Sequence, residues 1–179
     1  MKRGIFIERD GILNEASAGD HQRGNPVSLV EFRVKDVLRL LEALKREKFL
    51  LIATTNQPGL SRGYQSRREL DQMHALLRAK LPLDDILVCP HDATDCCPCR
   101  KPRPGLLLEA SFKWQINLEY SFVLSDKWQD AEAARIAGCT SLLVQSSWNG
   151  NVHRDFLVRD TEAAVQKILD LKNPALATA

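Results

Sequence analysis

Glu8 and Asp10 stand two positions apart at the end of a short apolar run, Gly4-Ile5-Phe6-Ile7, and Gly11 follows them. Side chains two apart in a strand share a face, and a glycine lets the chain turn sharply, so both carboxylates can converge at one strand end. An isolated acid-x-acid-Gly reads as a strand end and a solvated turn. Its weight comes from the polar groups that close or follow later apolar runs: Thr55 with Asn56, Lys101, and Asp126 with Asp130. Several acids meeting in a semi-buried site without enough fixed cations call for a divalent cation. Lys101 and the Thr55 hydroxyl suit an anionic ligand, and a metal with a lysine beside a carboxylate suits phosphoryl transfer. A second chemistry lies in one short stretch, where Cys89, Cys96, Cys97 and Cys99 gather with His91. Thiolates crowded this closely need a metal, and the chain has too few cysteines for a disulfide framework, which points to a reducing compartment. Cys139, in an apolar context, reads as a small core residue.

The elements that must position these groups alternate. Apolar runs at Ile5–Ile7, Phe49–Ala53, Asp85–Val88, Ser121–Leu124 and Ser141–Val144 predict five buried strands. Between them, helical spacing predicts an amphipathic helix from Asp36, which would cap it, and a second from Ser66 to Lys80. A third opens at Pro104-Gly105, a fourth covers Asp130 to Ala137 and ends at Gly138, and a last one covers Thr161 to Leu171 before a fraying end at Pro174. Strand and helix in alternation predict one three-layer α/β/α domain over residues 1–179, with helices on both faces of a central parallel sheet. Ligands bind such sheets beyond the carboxyl ends of the strands, where every polar cluster named above falls. The irregular loop from Glu15 to Pro26 lies beside the first of these ends and is a candidate substrate contact.

At 179 residues the chain can bury a sizeable core without a staple. A net charge of +2 with dispersed basic residues gives no ground for nucleic acid or a membrane surface as partner. With no secretory leader pattern and no apolar run of bilayer length, the expected location is the cytoplasm, and a monomer is the default assembly.

Glu8-Arg9-Asp10-Gly11, Thr55-Asn56-Gln57, Cys99-Arg100-Lys101-Pro102 and Ser125-Asp126-Lys127, each after a predicted strand, resemble in order the four motifs of the haloacid dehalogenase (HAD) superfamily of phosphatases. Cys89-Pro90-His91, the run from Cys97 to Pro102, and Asn56-Gln57-Pro58-Gly59 are similar to its zinc-containing branch, which lacks a large cap. That branch holds the heptose 1,7-bisphosphate phosphatases, which the chain resembles first, and the histidinol-phosphate phosphatases, with which the short span from His91 to Cys97 is also compatible. The resemblance runs from about Ile5 to Val144 and implies a magnesium-dependent phosphatase of a small phosphorylated metabolite, acting through a phospho-acyl intermediate. Position 8 would be the nucleophile, and Asp10 the acid that protonates the leaving alkoxide and then activates water. Thr55 and Lys101 would hold phosphate oxygens, with Asn56, Arg62 and Arg100 as further substrate contacts. Mg2+ would be held by the position 8 carboxylate, the Asp10 backbone carbonyl and Asp126. Cys89, His91, Cys97 and Cys99 would close a structural zinc site in a loop at about 89–101 and fix Lys101; Cys96 competes with Cys97.

The family has Asp where this chain has Glu8. One extra methylene displaces the attacking carboxylate, and misplacement on the order of 1 Å can cost roughly 100-fold. Three readings stay open: a slow enzyme using Glu8, a relative that binds a sugar phosphate without turnover, and a variant carrying an introduced change. Elsewhere His74 is expected at a helix surface or boundary and His153 in a solvated loop, while His21 lies in the 15–26 loop. Trp114, Trp128 and Trp148 are expected to pack at helix and loop boundaries, and Trp128, two positions after Asp126, is also placed where it could border the pocket.

Overall fold

The computed structural model describes residues 1–16 and 25–171. Six parallel strands form one sheet in the order β3-β2-β1-β4-β5-β6. They are β1 (Gly4–Glu8), β2 (Leu50–Asn56), β3 (Asp85–Cys89), β4 (Phe122–Ser125), β5 (Thr140–Val144) and β6 (Phe156–Val158). The helices are α1 (Leu38–Arg46), α2 (Arg67–Lys80), α3 (Gly105–Trp114), α4 (Trp128–Ala137) and α5 (Thr161–Leu171).

The strands are apolar on both faces because both faces are covered. Ile5, Ile7, Leu51, Ala53, Phe122 and Leu124 pack with Leu41 and Leu44 of α1, Leu70, Met73 and Leu77 of α2, and Ala164, Val165 and Ile168 of α5. The alternate residues Phe6, Ile52, Leu87 and Val123 face Leu106, Leu107 and Ala110 of α3 and Ala133 and Ala134 of α4. The period of two in each strand therefore divides the core into the two interfaces of a three-layer domain.

Several elements depart from the sequence reading; α4, expected from Asp130, begins at Trp128. β2 continues through Thr54 and Thr55, both fully buried, because in-register pairing with β1 and β3 satisfies their backbone. The residue at the N-cap position of α1 is Val37, with no side-chain cap, one residue past Asp36. Val37 is buried in the core, so apolar burial decides where this helix begins. β6, a half-buried edge strand of three residues paired to β5, is too short to announce itself by periodicity. α2 begins as expected: the Ser66 side chain accepts from the Glu69 backbone N–H, and the Glu69 carboxylate accepts from the Ser66 N–H. Of the 15–26 loop, residues 17–24 lie outside the described residues, and so does His21. Pro174 does too.

Candidate active site and metal centre

Neighbouring β1 and β4 are joined to the chain in opposite directions, β1 leading to β2 on one side and β3 leading across to β4 on the other. A doubly wound sheet opens its crevice at such a switch point. Glu8 is the last residue of β1, and Asp126 directly follows β4. Gly11 brings the two segments together: it has φ +107, and a Cβ there would lie 2.4 Å from Asp126 Oδ2. Any side chain at this position would push the Asp126 carboxylate away from the β1 turn.

Lys101 arrives from the loop after β3 and is 3% exposed. Its ammonium donates to Glu8 Oε2, to Asp130 Oδ1 at 2.7 Å and to the Thr54 carbonyl at 3.1 Å. Burial would raise the Glu8 pKa, but Lys101 and then Lys127 overcome it and hold the carboxyl down at about 2. Burial likewise works to lower the Lys101 pKa; Asp130 and Glu8 raise it above the ordinary range. Asp130, fully enclosed on α4, is pushed up to about 7 by burial, opposed by Lys101 and reinforced by Glu8. Asn56 sets the Lys101 backbone in place, its amide donating to the Lys101 carbonyl and its Oδ1 accepting the Lys101 N–H, both at 3.2 Å.

A second cation lies on the other side of Glu8. Lys127 Nζ donates to the Asp10 carbonyl, lies 3.2 Å from Asp126 Oδ1 and 3.8 Å from Glu8 Oε1. Burial alone would lower the Lys127 pKa; Glu8, Asp126 and Asp10 raise it. The ammonium thus touches the three oxygen donors that the motif resemblance gave to Mg2+. Two carboxylates and a carbonyl are hard donors that fit a magnesium ion, and a cation already standing among them shows the negative potential there.

The Asp10 side chain is fully buried. Its Oδ1 accepts from Arg9 Nε (3.1 Å), Arg9 Nη2 (2.9 Å) and Asn14 Nδ2 (2.9 Å). Its Oδ2 accepts from Arg9 Nη2 (3.0 Å), Thr55 Oγ1 (3.2 Å) and Gln57 Nε2 (2.7 Å). The Thr55 hydroxyl gives its proton to Asp10 and accepts from Gln57 at 2.7 Å, so in this arrangement it belongs to the Asp10 network.

At the end of β3, Cys89, His91, Cys97 and Cys99 place their ligand atoms within 4.8 Å of one another. The Sγ atoms of Cys89 and Cys97 are 3.6 Å apart, those of Cys97 and Cys99 3.5 Å. His91 Nδ1 lies 3.6 Å from Cys89 Sγ and 3.3 Å from Cys99 Sγ. Bonds of about 2.3 Å to sulfur in a tetrahedron give edges of about 3.8 Å, so the cluster fits a four-coordinate ion. Cys96 is exposed, at φ +48, and lies outside this group.

Arg62 and Arg100, which the resemblance gave as further substrate contacts, make hydrogen bonds to this loop. Arg62 Nε and Nη2 each reach Asp92 at 2.6 Å, and Arg100 Nη1 donates to the His91 carbonyl at 3.0 Å. The residues that motif reading left without a role are Arg9, Lys127 and His74. The first two sit inside quoted motifs, where their spacing was visible and their direction was not. His74, expected at a surface or boundary, is 5% exposed on the inner face of α2, because burial of the flanking Met73 and Leu77 turns it inward. His153 is exposed and lies 3.7 Å from Asp155. Trp114 donates its indole N–H to Asp85 at 2.8 Å. Trp128 opens α4, and a Cβ on Gly150 would touch it. Trp148 is exposed in the loop before β6.

Comparison with known proteins places this geometry. Residues 98–169 match a family described as HAD-hydrolase-like. The D-glycero-beta-D-manno-heptose-1,7-bisphosphate 7-phosphatase of Helicobacter pylori is 35% identical over 134 residues, 72% of this chain and 75% of the relative. The chain belongs to this family of HAD-like phosphatases. The Escherichia coli K12 member is 32% identical over 155 residues, 79% of this chain and 78% of that one. A crystal structure of the D,D-heptose 1,7-bisphosphate phosphatase from B. bronchiseptica, complexed with magnesium and phosphate, superposes with a TM-score of 0.81 at 27% identity. It covers 95% of this chain and 99% of that one. Among the described residues no helix is long and apolar enough to cross a membrane.

Proposed function

We propose that this protein is a magnesium-dependent phosphomonoesterase of a small sugar phosphate, of the heptose bisphosphate class. The observation that carries the reading is the meeting of Glu8, Lys101, Lys127 and Asp126 at the sheet's switch point. Two cations beside a carboxylate held ionised suit a site for a phosphate dianion next to a nucleophile. Family relatives at 32–35% identity supply the substrate class.

In the reaction, Glu8 attacks the phosphorus of the ester, the P–O bond to the sugar breaks, and Asp10 delivers a proton to the departing alkoxide. Asp10 then takes a proton from water as that water attacks the acyl phosphate, which frees orthophosphate and regenerates Glu8. Lys101 and Lys127 lie where negative charge gathers on the transferred group. Magnesium, held by Glu8, the Asp10 carbonyl and Asp126, would polarise the phosphoryl oxygens. Zinc at Cys89, His91, Cys97 and Cys99 would fix the loop that carries Lys101. Buried Cys89 is pushed up by burial, so a thiolate there needs a metal, which supports a reducing, cytoplasmic setting.

One observation favours a second reading, binding without turnover: the Glu8 carboxylate is one methylene longer than the family's Asp and is engaged by Lys101. Phosphate release from a panel of phosphorylated sugars with Mg2+, by the unmodified chain and by Glu8→Asp, separates the two. Turnover by both, raised roughly 100-fold by Glu8→Asp, is the expected result. Tight binding of a heptose phosphate by the unmodified chain with no release of phosphate from it, whether or not Glu8→Asp turns over, would overturn the enzymatic reading.

A further inference from the structure

Arg9 is the largest fully buried side chain among the described residues, and the reaction above gives it nothing to do. Its guanidinium lies 5.4 Å from the centre of the Phe32 ring, between the end of β1 and helix α2. Nε and Nη2 are spent on the Asp10 carboxylate. Nη1 lies 3.1 Å from His74 Nε2, its sole hydrogen-bond partner among the described residues.

A guanidinium has donors and no acceptor, so His74 Nε2 must be the acceptor and the ring proton must sit on Nδ1. Burial, together with Arg9, Arg78 and Arg67, lowers the His74 pKa to about 3, so the ring keeps this form at working pH. A planar guanidinium held by Asp10 alone could turn with the carboxylate. A third fixed point, on a helix, makes it a frame against which the carboxylate moves.

We infer that His74 is a positioning residue: by accepting from Arg9 Nη1 it fixes the guanidinium that orients Asp10. The effect on catalysis rests on the proposed role of Asp10 as proton donor; the structural effect does not. With the frame in place, a departure of Asp10 toward a leaving group breaks its bonds to Gln57, Thr55 and Asn14 while Arg9 stays. Without it, Arg9 follows, and the carboxylate is displaced.

The test has one arm that needs no turnover. In ring 15N spectra of the full chain, His74 is expected as the neutral Nδ1–H tautomer at both about pH 8 and about pH 5. The Arg9 Nε–H resonance is expected to exchange slowly in the parent, to persist in His74→Gln, whose amide oxygen can take the Nε2 place, and to broaden in His74→Leu. In the second arm, measured in a Glu8→Asp background, His74→Leu is expected to lose at least about tenfold in kcat with KM little changed, and His74→Gln to recover it. An Nε2–H tautomer, or a folded His74→Leu with the parent's Arg9 signal and kcat, overturns the inference. If His74→Leu does not fold, the parent tautomer and the His74→Gln signal decide. Absence of turnover in every variant counts against the phosphatase reading alone, and the spectra still decide for His74.

Discussion

Lys101 is enclosed between two buried carboxylates, so its replacement by methionine should be a large and interpretable perturbation. Methionine fills the stem of the side chain and removes the ammonium, leaving Glu8, Asp130 and the Thr54 carbonyl without the donor they share. Breaking a buried ion pair by removing one partner costs about 3–5 kcal/mol. Asp130, already raised to about 7 by burial, is held down by Lys101, so without it the group takes a proton at neutral pH and relieves part of the cost. Glu8 loses with Lys101 the charge that did most to hold its carboxyl down, and keeps only Lys127 beside it to oppose burial. The expectation therefore falls at the low end, about 3 kcal/mol. With a urea dependence of about 2 kcal/mol/M for a domain of this size, the unfolding midpoint should drop by about 1.5 M. Asp130→Asn, which leaves Lys101 with Glu8 and Thr54, should lose about 1 kcal/mol. The sign with pH follows from Glu8: a depressed carboxyl stabilises above its ordinary range near 4.5 and loses that contribution as the pH falls toward 2. The Lys101→Met deficit should thus be largest near neutrality and shrink in acid. A midpoint within about 0.3 M of the parent's at pH 7, or a loss no greater than that of Asp130→Asn, would refute the reasoning.

Cys97→Ser should lower the bound metal found by elemental analysis from about one equivalent of zinc toward none, whereas Cys96→Ser, outside the cluster, should retain it. Lys127→Met removes the ammonium that shares Glu8, Asp126 and the Asp10 carbonyl with magnesium. Its Mn2+ affinity, read by calorimetry, should rise at least about tenfold, and weaker binding would mean that Lys127 helps to assemble the donors. His74, depressed to about 3, favours the folded state above its ordinary pKa of 6.5 and loses that preference as the pH falls toward 3. Between about pH 6 and about pH 4 the parent's unfolding free energy should fall more steeply than that of His74→Gln, by about 1 kcal/mol per pH unit, as denaturant titrations at each pH would register.

The sequence alone determined which residues stand at strand ends, because a parallel strand buried on both faces is an uninterrupted apolar run whose end is marked by the first charged or small polar residue. Glu8 at the end of β1 and Ser125 at the end of β4 are legible on that basis, whereas β2 runs on past its first polar residue to Asn56, and the motif order carried the family as well. Local chemistry also announced the Ser66 cap and the glycine end of α4. Tertiary structure alone decided where the side chains point. Arg62 and Arg100 turn to Asp92 and His91, Thr55 turns to Asp10, and His74 turns inward on α2. It also decided between adjacent cysteines, since the left-handed backbone at Cys96 carries that thiol to solvent and leaves Cys97 inside. Periodicity constrains which residues share a face. A hydrogen bond or an ion pair depends on atoms brought together from segments far apart in the chain, and their distances exist only once the sheet and its two helical layers have packed.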